Sequence, residues 1–435
     1  MFMLPDMTKK RFLAASLLSL LLFLSLASCN TTPDTKGNVI GTPTWMLTPA
    51  TTYSSLPGTR PFIDTWNGIH PFQSFDYNID NPSASAPYDG FVWGASPDKV
   101  AAFRSTNPAI FLSYYFSFFR DSGIFGNQDA RQSLAYWQKA HPDWILYQCD
   151  RKTPAYEDGL PNVPFNFTNP AVISWEVQAY AVPASENGYD AIAADNVNME
   201  NLIGACGYYQ NGKWVQRYTG EINDPRWSAD IATWITKMQH ALRLLPHPLA
   251  LIPNLGLSPS FSSGDPALEQ IVSHVDGILD EGGFTKYAQG YLTGNQWLQK
   301  VQFIQSVQQS HKAYFIENEF PSVGGNEIQW ALASYLMCKE HVAYIAITGP
   351  QEYGVYLHYQ EYDARIGTPL GNMTEKQQVY WRSYTHGLSL VNPSPDTTYT
   401  VTLPSGENFV DLYGNKIAQK VTLPPHSGLV LLTVA

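Results

Sequence analysis

Three stretches of the chain run from apolar residues into acids. "GYDAIAADNV" closes on Asp195 and Asn196, "VDGILDEGGF" carries Asp280 and Glu281, and "AYFIENEF" carries Glu317 and Glu319. Ala191 to Ala194 suit a strand buried on both faces, where an unpaired carboxylate is costly. An acid at such a strand end therefore aims at something. Two carboxylates in different surroundings can break a glycosidic bond, one staying ionised as nucleophile or base and one holding a proton for the leaving oxygen. Asp195 fits the first role and Glu281 the second, with Glu317 or Glu319 as the alternative acid. The plainer readings are a helix cap for Asp195 and an ordinary loop acid for Glu281, which precedes Gly282-Gly283. Asp64, Trp66, Trp93, Tyr114, Asn196, Asn254, Glu317 and Tyr353 are the candidate substrate-binding residues, since aromatic faces stack on sugar rings and amides bond hydroxyls.

Eight strands are expected to carry these residues: Phe62–Trp66, Gly90–Trp93, Ala109–Tyr115, Asp190–Asp195, Leu249–Asn254, His274–Asp280, Ala313–Asn318 and Val342–Thr348. Helical patterns lie between them. "DPRWSADIATWITKMQHALRLLP" spaces Trp227, Ile231, Trp234, Ile235, Met238 and Leu242 at the helical period. Strand-helix alternation of this kind predicts an α/β fold, a (β/α)8 TIM barrel with its active site at the carboxyl ends of the strands. "DWILYQCD" is an extra extended segment without a place in that barrel. Beyond residue 386 the pattern becomes short alternating strands with Pro, Gly and Asn turns, a small C-terminal antiparallel β domain. The expected division is 1–28 leader, 29–55 flexible tether, 56–385 catalytic barrel and 386–435 β domain.

The 435 residues carry 26 Lys and Arg against 37 Asp and Glu, a net charge of −11, so no basic footprint for nucleic acid exists. Charged residues are only 14%, matched by 14% aromatics, which suits an exported protein handling neutral, stackable ligands. The start agrees: Lys9, Lys10 and Arg11 precede an apolar run from Phe12 to Ala27. Leu26-Ala27-Ser28-Cys29 resembles the bacterial lipobox, which implies cleavage before Cys29, lipid on its sulfur and a protein held at a bacterial cell surface.

Cys149, Cys206 and Cys338 then remain, enough for one internal disulfide. Cys149–Cys206 is the expected pair, with Cys338 free on the last barrel helix. The ten His residues form no HxH or HExxH spacing, so neither metal nor other cofactor is expected. A monomer is expected.

"GYDAIAADNV" also resembles the strand-four block of barrel families described as hypothetical glycoside hydrolases. "HPDWILYQCDRKTP" with "FNFTNPAVISWEVQAYA" resembles the segment before it, and "YWRSYTHGLSLVNPS" the passage into their C-terminal β domain. The likeness spans residues 60 to 435 and extends, more distantly, to endo-α-1,4-polygalactosaminidases. It implies a (β/α)8 glycosidase with acids after strands four and six, which fall on Asp195 and Glu281. Ala191, where these families often have Gly, and Ala193-Ala194, where bulkier residues are usual, depart from the pattern. The expected function is an extracytoplasmic glycoside hydrolase acting on an oligo- or polysaccharide. The competing class is a surface lipoprotein that binds polysaccharide on a barrel without turnover.

Overall fold

The computed structural model describes residues 62–82, 90–121, 132–156, 163–256, 264–350, 352, 354–355 and 357–434. The leader, Cys29, the tether and Tyr353 lie outside the described residues. The fold is mixed α/β. Eight strands run parallel: β1 (Gln73–Ser74), β2 (Phe91–Trp93), β3 (Phe111–Ser117), β4 (Ala191–Asp195), β5 (Ala250–Leu251), β6 (Gly277–Asp280), β7 (Ala313–Glu319) and β8 (Ala343–Thr348). β1 to β5 pair in chain order, as do β6 to β8. Parallel bridges join the two groups at both ends, Asn254 with Leu279 and Pro71 with Ile345. The bridging residues Asn254 and Pro71 lie just beyond β5 and β1.

Side chains along these strands alternate between two clusters, as the two-residue period demands. Phe72, Phe91, Trp93, Phe111, Tyr115, Ala191, Ala193, Ala250, Ile252, Leu279, Phe315 and Tyr344 share one core drawn from β2 to β8 and from residues that flank the strands. Their sequence neighbours, such as Val92, Leu112, Ile192, Leu251, Ile278 and Ile316, face the helices instead. The helices start where capping chemistry allows. Asp224 accepts from the Arg226 backbone N–H at 2.8 Å, Pro225 follows it, and the helix Pro225–Arg243 buries the expected stripe from Trp227 to Leu242.

Two expectations need correction. Residues 62–66 form no strand; the first strand is Gln73–Ser74. The earlier run is an extended strap fixed by side-chain bonds: Lys339 Nζ donates to the Thr65 and Gly68 carbonyls, and Ala343 N to Thr65 Oγ1 at 2.9 Å. The antiparallel C-terminal strands also begin earlier than residue 386, at Thr374. That sheet lies on the helix Gly325–Cys338. Gly428 makes the approach possible, since a Cβ there would stand 2.5 Å from the Gln329 carbonyl oxygen and 2.6 Å from Ala333 Cβ. Buried Arg382 donates to the Leu336, Met337 and Lys339 carbonyls at that helix end.

The segment around "DWILYQCD" becomes legible here. Tyr147–Gln148 pairs antiparallel with Ala205–Gln210, which pairs with Lys213–Gln216. Cys149 and Cys206 form a disulfide within this small sheet, and Cys338 is free and buried.

Glu176 lies within a continuous helical stretch, residues 170–186, in the layer around the strands, 1% exposed. Its Oε2 accepts from Trp234 Nε1 at 2.9 Å, and its Oε1 has no partner among the described residues. Burial pushes this carboxyl up to about 8. A folded state that keeps the proton which the unfolded chain releases near 4.5 loses stability as pH rises between those values. The full effect is on the order of 4–5 kcal/mol. Urea unfolding of Glu176→Gln at pH 5 and pH 8.5 should show much of that decline removed; equal declines in both proteins would count against it.

Candidate active site

The parity that fills the shared core also selects the acids. Ala191 and Ala193 point into it, so Asp195, two residues on, does too, and Ile252 leads in the same way to Asn254. Leu279 leads to Glu281, and Phe315 to Glu317. Asp280 has the opposite parity: it faces the helix Gly294–Gln309, bonded to Lys300 Nζ at 2.5 Å and Tyr314 OH at 2.8 Å. Four inward polar residues thus meet at the carboxyl ends of β4 to β7.

Asp195 accepts four hydrogen bonds. Tyr115 OH and Asn196 Nδ2 donate to Oδ2, each at 2.9 Å; Asn196 N at 2.8 Å and Asn254 Nδ2 at 2.9 Å donate to Oδ1. Four donors on two oxygens match the acceptor-only chemistry of a carboxylate. Asn196 reaches its position through a left-handed backbone, φ 60°, which Asn tolerates better than most residues. The Asn254 amide has a second hydrogen, and it goes to Glu281 Oε2 at 2.8 Å. Two bonds from one nitrogen cap the separation of these carboxylate oxygens at the sum of their lengths, about 5.7 Å. Chain order explains the geometry: β5 lies between the strands that carry the two acids, with Asn254 N bonded to the Ala194 carbonyl at 2.8 Å.

The turn after Glu281 is held against β7. Phe284 N donates to Asn318 Oδ1 at 2.9 Å. Gly283 has φ 48°, and a Cβ there would stand 2.2 Å from the Glu317 carbonyl oxygen, so only glycine fits. Glu317 itself is 1% exposed and accepts from Ser74 Oγ at 2.7 Å. Burial first, then repulsion from Glu281, Glu319 and Asp195, holds its proton well above the usual carboxylate range, against the pull of Ser74. Burial raises Glu319 as well. A recess lined by Gln73, Ser74, Glu317, Thr348 and Glu352 opens beside this group.

Of the residues expected here, Asp195, Asn196, Asn254, Glu281 and Glu317 come together. The others do not. Asp64 and Trp66 lie beside His341, which precedes β8, at the opposite ends of the strands; Trp66 stacks on that ring at 4.7 Å. They were assigned to a strand that does not form. Trp93 is fully buried beneath the acids, its Nε1 bonded to the Ile252 carbonyl at 3.1 Å, so it is floor rather than platform. Tyr114 points away to Tyr189, at 5.2 Å in the outer cluster, and its neighbour Tyr115 touches Asp195 instead. Ser74 and Tyr115 also touch these acids, although the sequence does not single them out. Ser74 hid in a two-residue strand, and the adjacent tyrosines of β3 give no clue to which faces inward. Among the described residues no cluster of three or more His, Cys, Asp or Glu is arranged for a metal ion.

A family model described as hypothetical glycosyl hydrolase family 15 matches residues 104–388, more than half of the chain. No curated protein matches the sequence. Similar solved structures include a family 39 glycoside hydrolase from Bacteroides cellulosilyticus WH2, 11% identical with a TM-score of 0.48, covering 86% of this chain and 82% of that one. A maltogenic alpha-amylase from Thermotoga neapolitana is 11% identical with a TM-score of 0.43, over 85% of this chain and 90% of that one. The type III pullulan hydrolase from Thermococcus kodakarensis is 13% identical with a TM-score of 0.42, over 87% and 77%.

Asn254→Leu keeps the side-chain volume and removes both donated bonds. Two carboxylates would then face each other without their shared donor, and stability at pH 7 should fall by about 1–3 kcal/mol. Chemical denaturation measures this; an unchanged midpoint would mean the amide does not carry the pair.

Proposed function

The chain belongs to hypothetical glycosyl hydrolase family 15, and from that premise we propose a glycoside hydrolase that cleaves an oligo- or polysaccharide with retention. One observation carries this reading: the Asn254 amide that holds Asp195 and Glu281 within about 5.7 Å at their nearer oxygens. Retaining enzymes place their carboxyl groups about 5–5.5 Å apart, and inverting ones about 6.5–9.5 Å, to leave room for water. Asp195 attacks the anomeric carbon as the glycosidic C–O bond breaks, and Glu281 gives its proton to the departing oxygen. Water, losing its proton to Glu281, then displaces Asp195 from the anomeric carbon. Glu317 holds its proton throughout, which keeps a third negative charge away from the pair.

We also read the eight strands as a closed (β/α)8 barrel. The bridges at Asn254–Leu279 and Pro71–Ile345, and the core shared by β2 to β8 with Phe72 and Phe75 beside β1, support closure. The protein is placed outside the cytoplasm, held to a membrane through lipid on Cys29. The lipobox-like Leu26–Cys29 motivates that placement, and no described helix is long and apolar enough to cross a bilayer.

Asp195→Asn and Glu281→Gln are nearly isosteric, so both should fold and both should lose turnover by orders of magnitude on polysaccharide. On a substrate whose leaving group needs no proton, Glu281→Gln should recover much of its rate and Asp195→Asn should not. Full activity in Asp195→Asn would overturn the assignment, and recovery in neither variant would move the acid role to Glu317 or Glu319. Cys29→Ala should release the protein from membrane pellets or block its processing; unchanged pelleting and processing would remove the anchor.

A further inference from the structure

Two exposed tyrosines stand over the acid pair, on loops that follow β1 and β6. Tyr77 is 39% exposed and Tyr287 50%. Tyr77 stacks on Phe75 at 4.9 Å and 18°. Phe75 meets Trp93 edge-on at 5.0 Å and Tyr115 at 5.4 Å, and Tyr115 OH donates to Asp195 at 2.9 Å. Tyr77 is thus the outermost ring of an aromatic column that rises from beside Asp195. Buried Gly354 backs it, since a Cβ there would stand 3.0 Å from Tyr77 Cδ2. Tyr287 lies across Gly282, the residue after Glu281: a Cβ on Gly282 would stand 3.3 Å from Tyr287 Cζ. Its loop is tied to the end of β7 by Ala288 N donating to the Glu319 carbonyl at 3.2 Å.

The backbone under both rings is unusual. Phe75 has φ 56°, Tyr287 φ 50° and Ala288 φ 60°. Bulky residues rarely adopt the left-handed region, and such conformations gather at ligand clamps. The hydroxyls report the same neighbours. Burial, and after it Asp195 ahead of Asp76 and Glu281, raises Tyr77. Burial, Asp280 and then Glu281 ahead of Asp195 raise Tyr287. Both residues thus keep exposed surface close to the acids.

We propose that Tyr77 and Tyr287 are the two sugar-ring platforms of this site, Tyr77 for the ring whose anomeric carbon Asp195 attacks and Tyr287 for the ring that departs with the proton of Glu281. The assignment of sides rests on the hydrolase reading above; the presence of platforms does not. It narrows the substrate class. A platform on the departing side recognises a sugar ring as leaving group, so the bond cut lies between two sugars of a chain. A sugar joined to a small non-sugar group would leave Tyr287 unused.

The test begins with binding, which needs no turnover. A glycan array of α- and β-linked neutral oligosaccharides, two to eight rings long, is probed with the Asp195→Asn protein alone and with Tyr77→Ala or Tyr287→Ala added. Each Tyr→Ala change should weaken the best glycan by about 10-fold or more, whereas Tyr→Phe should stay within about 3-fold. Tyr→Leu keeps apolar bulk without a flat face and should behave like Ala, which covers an Ala variant that folds poorly. Kinetics then separate the sides. Tyr287→Ala should lower kcat/KM on the oligosaccharide about 10-fold while leaving an aryl glycoside of the same glycone within about 3-fold; Tyr77→Ala should lower both. Binding unchanged by Ala and Leu at both positions, or no glycan bound at all, overturns the platforms. Equal losses of Tyr287→Ala on both substrates overturn the assignment of sides. Glycan binding that depends on both rings, without any turnover, sinks the hydrolase reading and leaves the platforms standing.

Discussion

One side-chain amide sets the distance between the two acids, and much of the chain serves to set that amide. Asn254 has two hydrogens to give, and they go to Asp195 on one neighbouring strand and Glu281 on the other. That works only if three adjacent strands keep their register. A slip of one residue in β5 would turn Asn254 to the helices and present Pro253 to the acids. Register is therefore the constraint from which the rest follows: the backbone bond from Asn254 to Ala194, the bridge to Leu279, and the glycine turn pressed on β7.

The layer beneath the acids holds that register by unequal sizes. Phe91 lies on Phe315 with ring centres 4.1 Å apart, and Phe315 on Tyr344 at 4.9 Å. β4, β5 and β7 answer these rings with Ala191, Ala193, Ala250 and Ala313 in the same core. Close packing of large against small resists sliding, because a shifted alanine would open a void and a shifted ring would clash. Ala191 and Ala193, which depart from the resembled families, are thus counterparts of the aromatic strands. At the far ends, the strap of residues 62–70 closes the layer. Lys339 grips its carbonyls, and burial pulls that ammonium down to about 7. Asp64 and Trp66 belong to this closure and not to the chemistry.

What could be read in the sequence was whatever left a periodic trace. β4 and β7 were legible because long apolar runs end in acids, and parity then separates Glu281 from Asp280. β1 was not, because two residues give no period, and "RPFIDTW" looks more strand-like than the "PFQS" that follows. Tyr114 and Tyr115 are equally good strand residues, and only pairing with β4 decides which one faces Asp195. Trp93 was placed at the correct strand end, but its depth depends on the Ile252 carbonyl across the layer, which no local pattern encodes. The platform tyrosines sit in irregular loops with left-handed backbone, where neither period applies.

The acids themselves show how little residue type decides. Asp195 meets four donors, and Asp280 meets an ammonium, a phenol and a backbone N–H. Glu176 is met by a single indole N–H, and Glu317 by the Ser74 hydroxyl, with other acids close by. Donors stabilise the ionised form, while burial and neighbouring acids oppose it. Glu176 and Glu317 accordingly keep their protons, one in the helix layer and one beside the reactive pair. Asp195 and Glu281 remain the acids that the Asn254 amide spans. In the proposed reaction, a cation-like sugar ring in the transition state would meet the Asp195 carboxyl that four donors hold in place.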